Sequence, residues 1–345
     1  HLLSRRQRQM CIRDRNKTND RKKIMVGKIC GTGSFIPKLV WDNDKLAQMV
    51  DTNDEWIRGR TGVARRHIAD EGENTAQMAS EAAKAAIMDA GIAAEDVDLL
   101  MVATITSNMI MPCTACEVQK EIGAVNATCF DLNAACTGFL FALNTAQAYI
   151  SQGIYQTAVV VGAESLSNLT NWADRSTCIL FGDGAGAVVL KASEKGRYVQ
   201  ATHSVGAKGE VLTCSSRNQK RYETQPQLPE TYMQMDGKEV FKFAVSKVPE
   251  VIKELLDREQ MKTEEIDYYL LHQANERIVR SVAKRLGEDM SKFPINMEEY
   301  GNTSSASIPI LLDELHKKGV IQSGNRLILS GFGGGLSYGA SLLQW

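Results

Sequence analysis

The chain has 345 residues, 43% hydrophobic and 23% charged, with seven prolines and a formal net charge of −1. That composition excludes disorder, collagen or coiled coil as a description of the whole, and the length allows one large core or two medium ones. No apolar run reaches the ~20 residues that a bilayer-spanning helix needs, and eight scattered cysteines without a secretory segment point to thiols in a reducing cytoplasm.

Residues 1–24 carry nine Lys/Arg against two Asp. Such an arm suits nucleic acid, a membrane or targeting, but the abrupt change at Met25, where MVGKICGTGSFIP reads as a natural start, marks it as a non-native or disordered leader. Without its +7 the charge falls from −1 to −8. An acidic body argues against nucleic acid, and any acidic partner must then meet a local basic patch.

From Met25 onward, strand-like and helix-like runs alternate. GTGSFIP (31–37) lacks the rest of a dinucleotide fingerprint. Helical periodicity covers 74–91, and a buried strand is predicted over 97–106. CTAC (113–116) is a single Cys-x-x-Cys with no second pair, so no zinc or other metal site is expected. The run ATCFDLNA predicts a strand leading to Cys136 and a helix that continues to about Gly153. Further strands are predicted at 157–165, 185–193, 266–272 and 325–331, with helices at 238–260 and 275–287. The fold class is therefore α/β. LFGDGAGAVVL and LSGFGGGLSYGASLL place glycines before a strand in the same way, which suggests two similar α/β halves, 25–195 and 196–345, with a site at their junction.

Cys136, flanked by Ala134, Ala135 and Gly138, sits where a helix N-terminus would lower its pKa and favour thiolate. A small buried thiol is the plain alternative. His272 ends the strand-like IDYYLLH at a predicted sheet edge, whereas His1, His67 and His316 lie in polar surroundings. Asn302 lies in YGNTSSASIP, a Gly-Asn turn that capping alone would also explain.

DLNAACTGFLFAL, LLHQANERI, YGNTSSASIP and GFGGGLSYGASLLQW, in that order, resemble the β-ketoacyl-acyl-carrier-protein synthase III family. DTNDEWIRGRTGVARRHIA, DRSTCILFGDGAGAVVL and MDGKEVFKFAV extend the likeness to roughly 25–345. The resemblance implies a thiolase-like fold with a layered α-β-α-β-α core. It also implies acyl transfer from acetyl-CoA to Cys136, then decarboxylative condensation with malonyl-acyl-carrier protein assisted by His272 and Asn302, with no cofactor. The backbone N–H groups of Cys136 and Gly334 would form the oxyanion hole. Neutral His272 and the Asn302 amide would donate to the enolate oxygen. Elongating ketosynthases carry a second histidine in place of the asparagine, so Asn302 favours priming.

The resemblance further assigns Trp56, Arg60, Arg175 and Asn275 to CoA, an indole face and guanidinium groups suiting a purine and phosphates. Lys238 departs from an asparagine found in some members. Lys242, Arg277, Lys284 and Arg285 match a basic surface for acyl carrier protein, and Phe332 an aromatic beside the catalytic pair. Met111 takes the place of a residue that caps the acyl pocket across a homodimer, where a flexible thioether would admit more than acetyl. Two rivals share parts of this pattern. Papain-like hydrolases also run Cys, His, Asn, but no CGSCW-like flank surrounds Cys136. The closer rival is a related acyl-CoA condensing enzyme of secondary metabolism.

Overall fold

A computed structural model describes residues 25–215 and 232–345; the expected leader, 1–24, lies outside the described residues. Five strands, β1 (Val26–Phe35), β4 (Leu99–Ala103), β5 (Thr128–Leu132), β6 (Thr157–Ser165) and β7 (Asp183–Ser193), form one sheet in the order β1-β7-β6-β4-β5. Between β1 and β4 the hairpin β2 (Leu39–Asp42) and β3 (Arg65–Ile68) stands apart. A second sheet follows the order β8 (Tyr198–Ser204), β13 (Ser337–Gln344), β12 (Arg326–Gly333), β11 (Tyr268–Leu271), with the short pair β9 (Leu212–Thr213) and β10 (Gln234–Met235) beside it.

The sheets repeat one plan. β1 and β8 run antiparallel to β7 and β13, these antiparallel to β6 and β12, and these parallel to β4 and β11. β5 has no counterpart among the described strands. All nine residues of β6 are buried, as the unbroken apolar run of a sheet covered on both faces requires.

Three apolar cores set the layers. Helices Thr75–Ala90 and Thr114–Ile122 cover the outer face of the first sheet through Met78, Ala82, Ala86 and Val118. Helices Gly237–Arg258 and Glu276–Leu286 cover the second through Val248, Ile252, Val279 and Val282. Helices Gly138–Ser151 and Ser307–Lys317 lie between the sheets, where Leu140, Leu143, Ile308 and Leu312 meet strands of both. The result is the expected α-β-α-β-α stack. In GTGSFIP, a Cβ on Gly31 would stand 2.4 Å from Ala86 O. That glycine lets an alanine-rich helix lie directly on β1. Most predicted elements end within two residues of their observed limits, whereas β1, β8 and the β2–β3 hairpin carry glycines or polar residues that hid them from a periodicity reading.

Candidate active site

Cys136, His272 and Asn302 line one cavity of about 1560 Å³ at the junction of the halves. His272, Asn302 and Phe332 are buried at one end, while Arg60, Lys242 and Arg277 are exposed at the other.

β5 delivers the chain to a 3-10 turn, Ala135–Thr137, and the helix begins at Gly138, so Cys136 lies in the turn rather than at the head of the helix. Ala135 takes a left-handed backbone, φ +47°, which reverses the chain sharply enough to present the cysteine. Thr137 Oγ1 lies 2.7 Å from Ser337 Oγ, tying the turn to β13 of the other half. A Cβ on Gly333 would fall 2.8 Å from Cys136 N and 3.0 Å from Thr137 N. Only glycine leaves those amides accessible, and Gly334 lines the cavity beside it.

Burial pushes the Cys136 thiol up to about 12, a hydrogen bond with Ser304 lowers it, and the charge of Glu164 raises it again. This runs against the expectation of a resting thiolate: loss of solvation outweighs the turn's amides and favours the neutral thiol.

His272 ends β11. Burial drives its imidazole down to about 3, so the ring is neutral. Ser307 Oγ lies 2.7 Å from His272 Nδ1 and accepts the Gln273 N–H at 3.3 Å. Its own proton is then free for Nδ1, an arrangement that suits a ring proton on Nε2. Phe332 meets the imidazole edge to face, 5.4 Å between centroids.

Asn302 is held on both sides of its peptide: its N–H donates to Leu180 O at 2.8 Å, and its carbonyl accepts from Gly182 N at 3.1 Å. Ser304 N donates to Asn302 Oδ1 at 2.9 Å. With the carbonyl end occupied, Nδ2 is the group left for a ligand. Ser304 also has a left-handed backbone, φ +51°.

At the exposed end, Asn53 caps helix Asp54–Thr61 by accepting from Trp56 N at 2.8 Å. The guanidiniums of Arg60 and Arg175 both stack against the Trp56 ring, 4.6 and 4.9 Å from its centroid. Asn275 Nδ2 donates to Arg60 O at 3.0 Å, and its Oδ1 caps helix Glu276–Leu286. Lys238, Lys242 and Arg277 border the cavity, and Lys242 pairs with Glu239 at 2.6 Å. Lys284 and Arg285 are exposed at the far end of that helix, away from the cavity wall. Met111 is 83% exposed and does not line this chain's cavity, although its neighbour Ile110 does. Cys113 and Cys116 place their sulfurs 3.4 Å apart, and no cluster of three or more metal-ligating side chains occurs among the described residues.

Sequence reasoning missed Ser307, Ser304 and Glu164. Ser304 and Ser307 lie in the quoted YGNTSSASIP, where a hydroxyl aligned with a histidine or a carboxylate has no local signature.

A neutral imidazole, a carboxamide and a cysteine in one buried pocket between two thiolase-like halves define a condensing acyltransferase. Family models described as 3-oxoacyl-[acyl-carrier-protein (ACP)] synthase III and its C-terminal part match residues 130–209 and 256–345. The chain is 46% identical over 320 residues to a β-ketoacyl-[acyl-carrier-protein] synthase III of Clostridium botulinum, covering 92% of this chain and 98% of that protein. Against the Clostridium acetobutylicum protein of the same name it is 45% identical, with the same coverage. Among solved structures, 3-oxoacyl-[acyl-carrier-protein] synthase III of Aquifex aeolicus superposes with a TM-score of 0.87 at 41% identity, over 92% of this chain and 100% of that one. The priming β-ketosynthase of the R1128 polyketide pathway gives 0.88 at 34%, over 92% and 96%. The chain belongs to the β-ketoacyl-[acyl-carrier-protein] synthase III family.

Proposed function

We propose that this enzyme joins a short acyl group from acyl-CoA, acetyl in the first instance, to malonyl-acyl-carrier protein, yielding acetoacetyl-acyl-carrier protein, carbon dioxide and CoA. The observation that carries this reading is Cys136, His272 and Asn302 lining one cavity, with His272 Nδ1 already engaged by Ser307 Oγ and Asn302 Oδ1 by Ser304 N, so that Nε2 and Nδ2 are the atoms left to meet a substrate. Two donors without an available base suit an enolate oxygen and would not quench its carbon.

In the first half-reaction the Cys136 sulfur attacks the thioester carbonyl, whose oxyanion takes the Cys136 and Gly334 N–H groups. The thiol proton ends on the departing CoA sulfur, so the exchange consumes no external base. In the second, the malonyl carboxylate leaves as carbon dioxide. The resulting enolate is held by His272 Nε2–H and Asn302 Nδ2–H and attacks acyl-Cys136, expelling the sulfur as thiolate, which takes one proton from solvent to restore the resting thiol.

The adenine of CoA would take one face of Trp56 by displacing a guanidinium, with Arg60 and Arg175 then near its phosphates. Asn275 would line the pantetheine path. Lys242 and Arg277 at the cavity mouth, with Lys284 and Arg285 further along the helix, would receive the acidic carrier protein. Phe332 would wall the acyl pocket beside His272, and Met111, exposed in the single chain, would cap a partner's pocket in a homodimer. The reading needs no cofactor and places the enzyme in the cytoplasm; no helix among the described residues is long and apolar enough to cross a membrane.

The test is carbon dioxide release from malonyl-carrier by the purified protein. Release that requires acetyl-CoA or another short acyl-CoA supports the reading. Malonyl-CoA serving as well as the carrier-bound form would favour a condensing enzyme of secondary metabolism, and a primer panel from acetyl to branched short chains would set the pocket's limit.

A further inference from the structure

Beneath the turn that carries Asn302 lies a carboxyl group with no part in the chemistry above. Glu164, on β6, is fully buried. Its Oε2 accepts from Ile105 N at 3.1 Å, Thr106 Oγ1 at 2.8 Å and Thr104 Oγ1 at 3.3 Å, all from the first half. Its Oε1 accepts from Ser304 Oγ and Ser305 Oγ, both at 3.1 Å, from the second. One buried side chain thus ties the end of β4 to the turn that follows Asn302, and a buried network whose members are satisfied rigidifies what it joins.

Ser304 is the link to the reacting groups. It holds a left-handed backbone, φ +51°, which a non-glycine residue keeps only where its surroundings fix it. In that conformation its N–H reaches Asn302 Oδ1 at 2.9 Å. Release of the Ser304 hydroxyl would free the turn to relax, and the Asn302 amide could then rotate.

We propose that Glu164 is a positioning residue for the condensation half-reaction: it anchors the Ser304–Ser305 turn so that Ser304 N–H keeps the Asn302 amide facing the malonyl thioester. This rests on the role given above to Asn302.

The inference separates two quantities that a merely structural residue would move together. The negative charge of Glu164 raises the Cys136 thiol. Removing that charge favours thiolate, while loosening Asn302 slows carbon–carbon bond formation. The experiment compares wild type, E164Q, S304A and the double variant in two assays. One is single-turnover condensation of enzyme already acetylated on Cys136 with malonyl-carrier; the other is alkylation of Cys136 by iodoacetamide at neutral pH. E164Q is expected to slow condensation about tenfold or more, a modest misplacement of a reacting group, while alkylating at least as fast as wild type. S304A, which cuts the same tie from the other end, is expected to lose a similar factor in condensation, and the double variant to be no slower than the slower single one. Where E164Q does not fold, S305A, which removes the other hydroxyl donor to Glu164 Oε1, decides the matter, because Ser304 also hydrogen-bonds the Cys136 sulfur. Condensation within about twofold of wild type in the folded variants, alkylation and condensation falling in parallel in E164Q, or losses that multiply in the double variant would each overturn the proposal. Wild-type enzyme that releases no carbon dioxide would refute the proposed function instead.

Discussion

The turn that carries Cys136 and the turn that follows Asn302 are one structure built twice, with different contents. The same interval along the chain pairs Asn133 with Asn302, Ala135 with Ser304, Cys136 with Ser305, Gly162 with Gly331 and Glu164 with Gly333. Ala135 and Ser304 share a left-handed backbone, and each turn leads into a central helix, Gly138–Ser151 or Ser307–Lys317. The halves cross over: a Cβ on Gly162 would strike Ser305 O at 2.4 Å, and one on Gly333 would approach Cys136 N at 2.8 Å. Where the second sheet leaves Gly333 empty beneath the cysteine, the first sets the Glu164 side chain beneath Ser305. One turn is therefore open to a substrate carbonyl and the other is filled by a carboxyl group of the protein itself. The two turns share one frame, and Glu164 in place of a glycine fills one of them while Gly333 leaves the other open beneath Cys136.

The largest effect that bears on this comparison is Cys136→Ser, expected to lower acyl transfer from acetyl-CoA by at least about 10³-fold. Adding Ser305→Cys to that variant moves the thiol to the paired turn; no acylation should return, as followed by mass spectrometry of the intact protein, and recovery there would show that the second turn is open. Next in size, Asn302→Ala should cut condensation by about 10²-fold, the loss of one oriented donor, with Cys136 acetylation nearly intact. Equal loss in both assays would contradict a role confined to the second half-reaction. Trp56→Ala should weaken acyl-CoA binding about tenfold with little change in the single-turnover condensation rate, the stacking surface lying far from the sulfur. Titration calorimetry measures the first of these.

The smallest effect is in stability against pH. Burial raises the Glu164 carboxyl to about 7 from 4.5. The native state therefore binds that proton more tightly than the unfolded chain, and the stability it contributes is fully present below about pH 4.5 and lost as pH rises through 7. His272, lowered to about 3 from 6.5, contributes stability that is present above pH 6.5 and lost as pH falls toward 3. In E164Q only the histidine part remains. The Tm of wild type should thus fall relative to that of E164Q between about pH 5 and 8, which calorimetric scans at several pH values can follow.

The runs around Cys136, His272 and Asn302 suggest a strand before small residues, a strand ending in histidine and a Gly-Asn turn, but a buried thiol and simple capping fit them as well, and it is the family resemblance that singles out the three residues, which the structure brings to one cavity. The strand-helix alternation was legible where strands are apolar throughout, as in β6 and β12. Glu164 was not, since its meaning lies in Ser304 and Ser305 about 140 residues away. The protonation state of Cys136 was misread for a related reason: position suggests a favourable turn, but burial and a charge from β6 decide, and neither is visible locally. The hydrogen bond at His272 Nδ1 likewise depends on Ser307, the first residue of a different helix.

The stack of Arg60, Trp56 and Arg175 has a consequence for substrate exchange. On the proposed function, with two guanidiniums already against the indole, an arriving purine would replace a contact instead of adding one, so the net gain at this position would be smaller than a bare ring gives. The displaced guanidinium would become available to a phosphate as the base docks. Exchange of the nucleotide would then approach a swap of equals, a light grip that suits the departure of spent CoA.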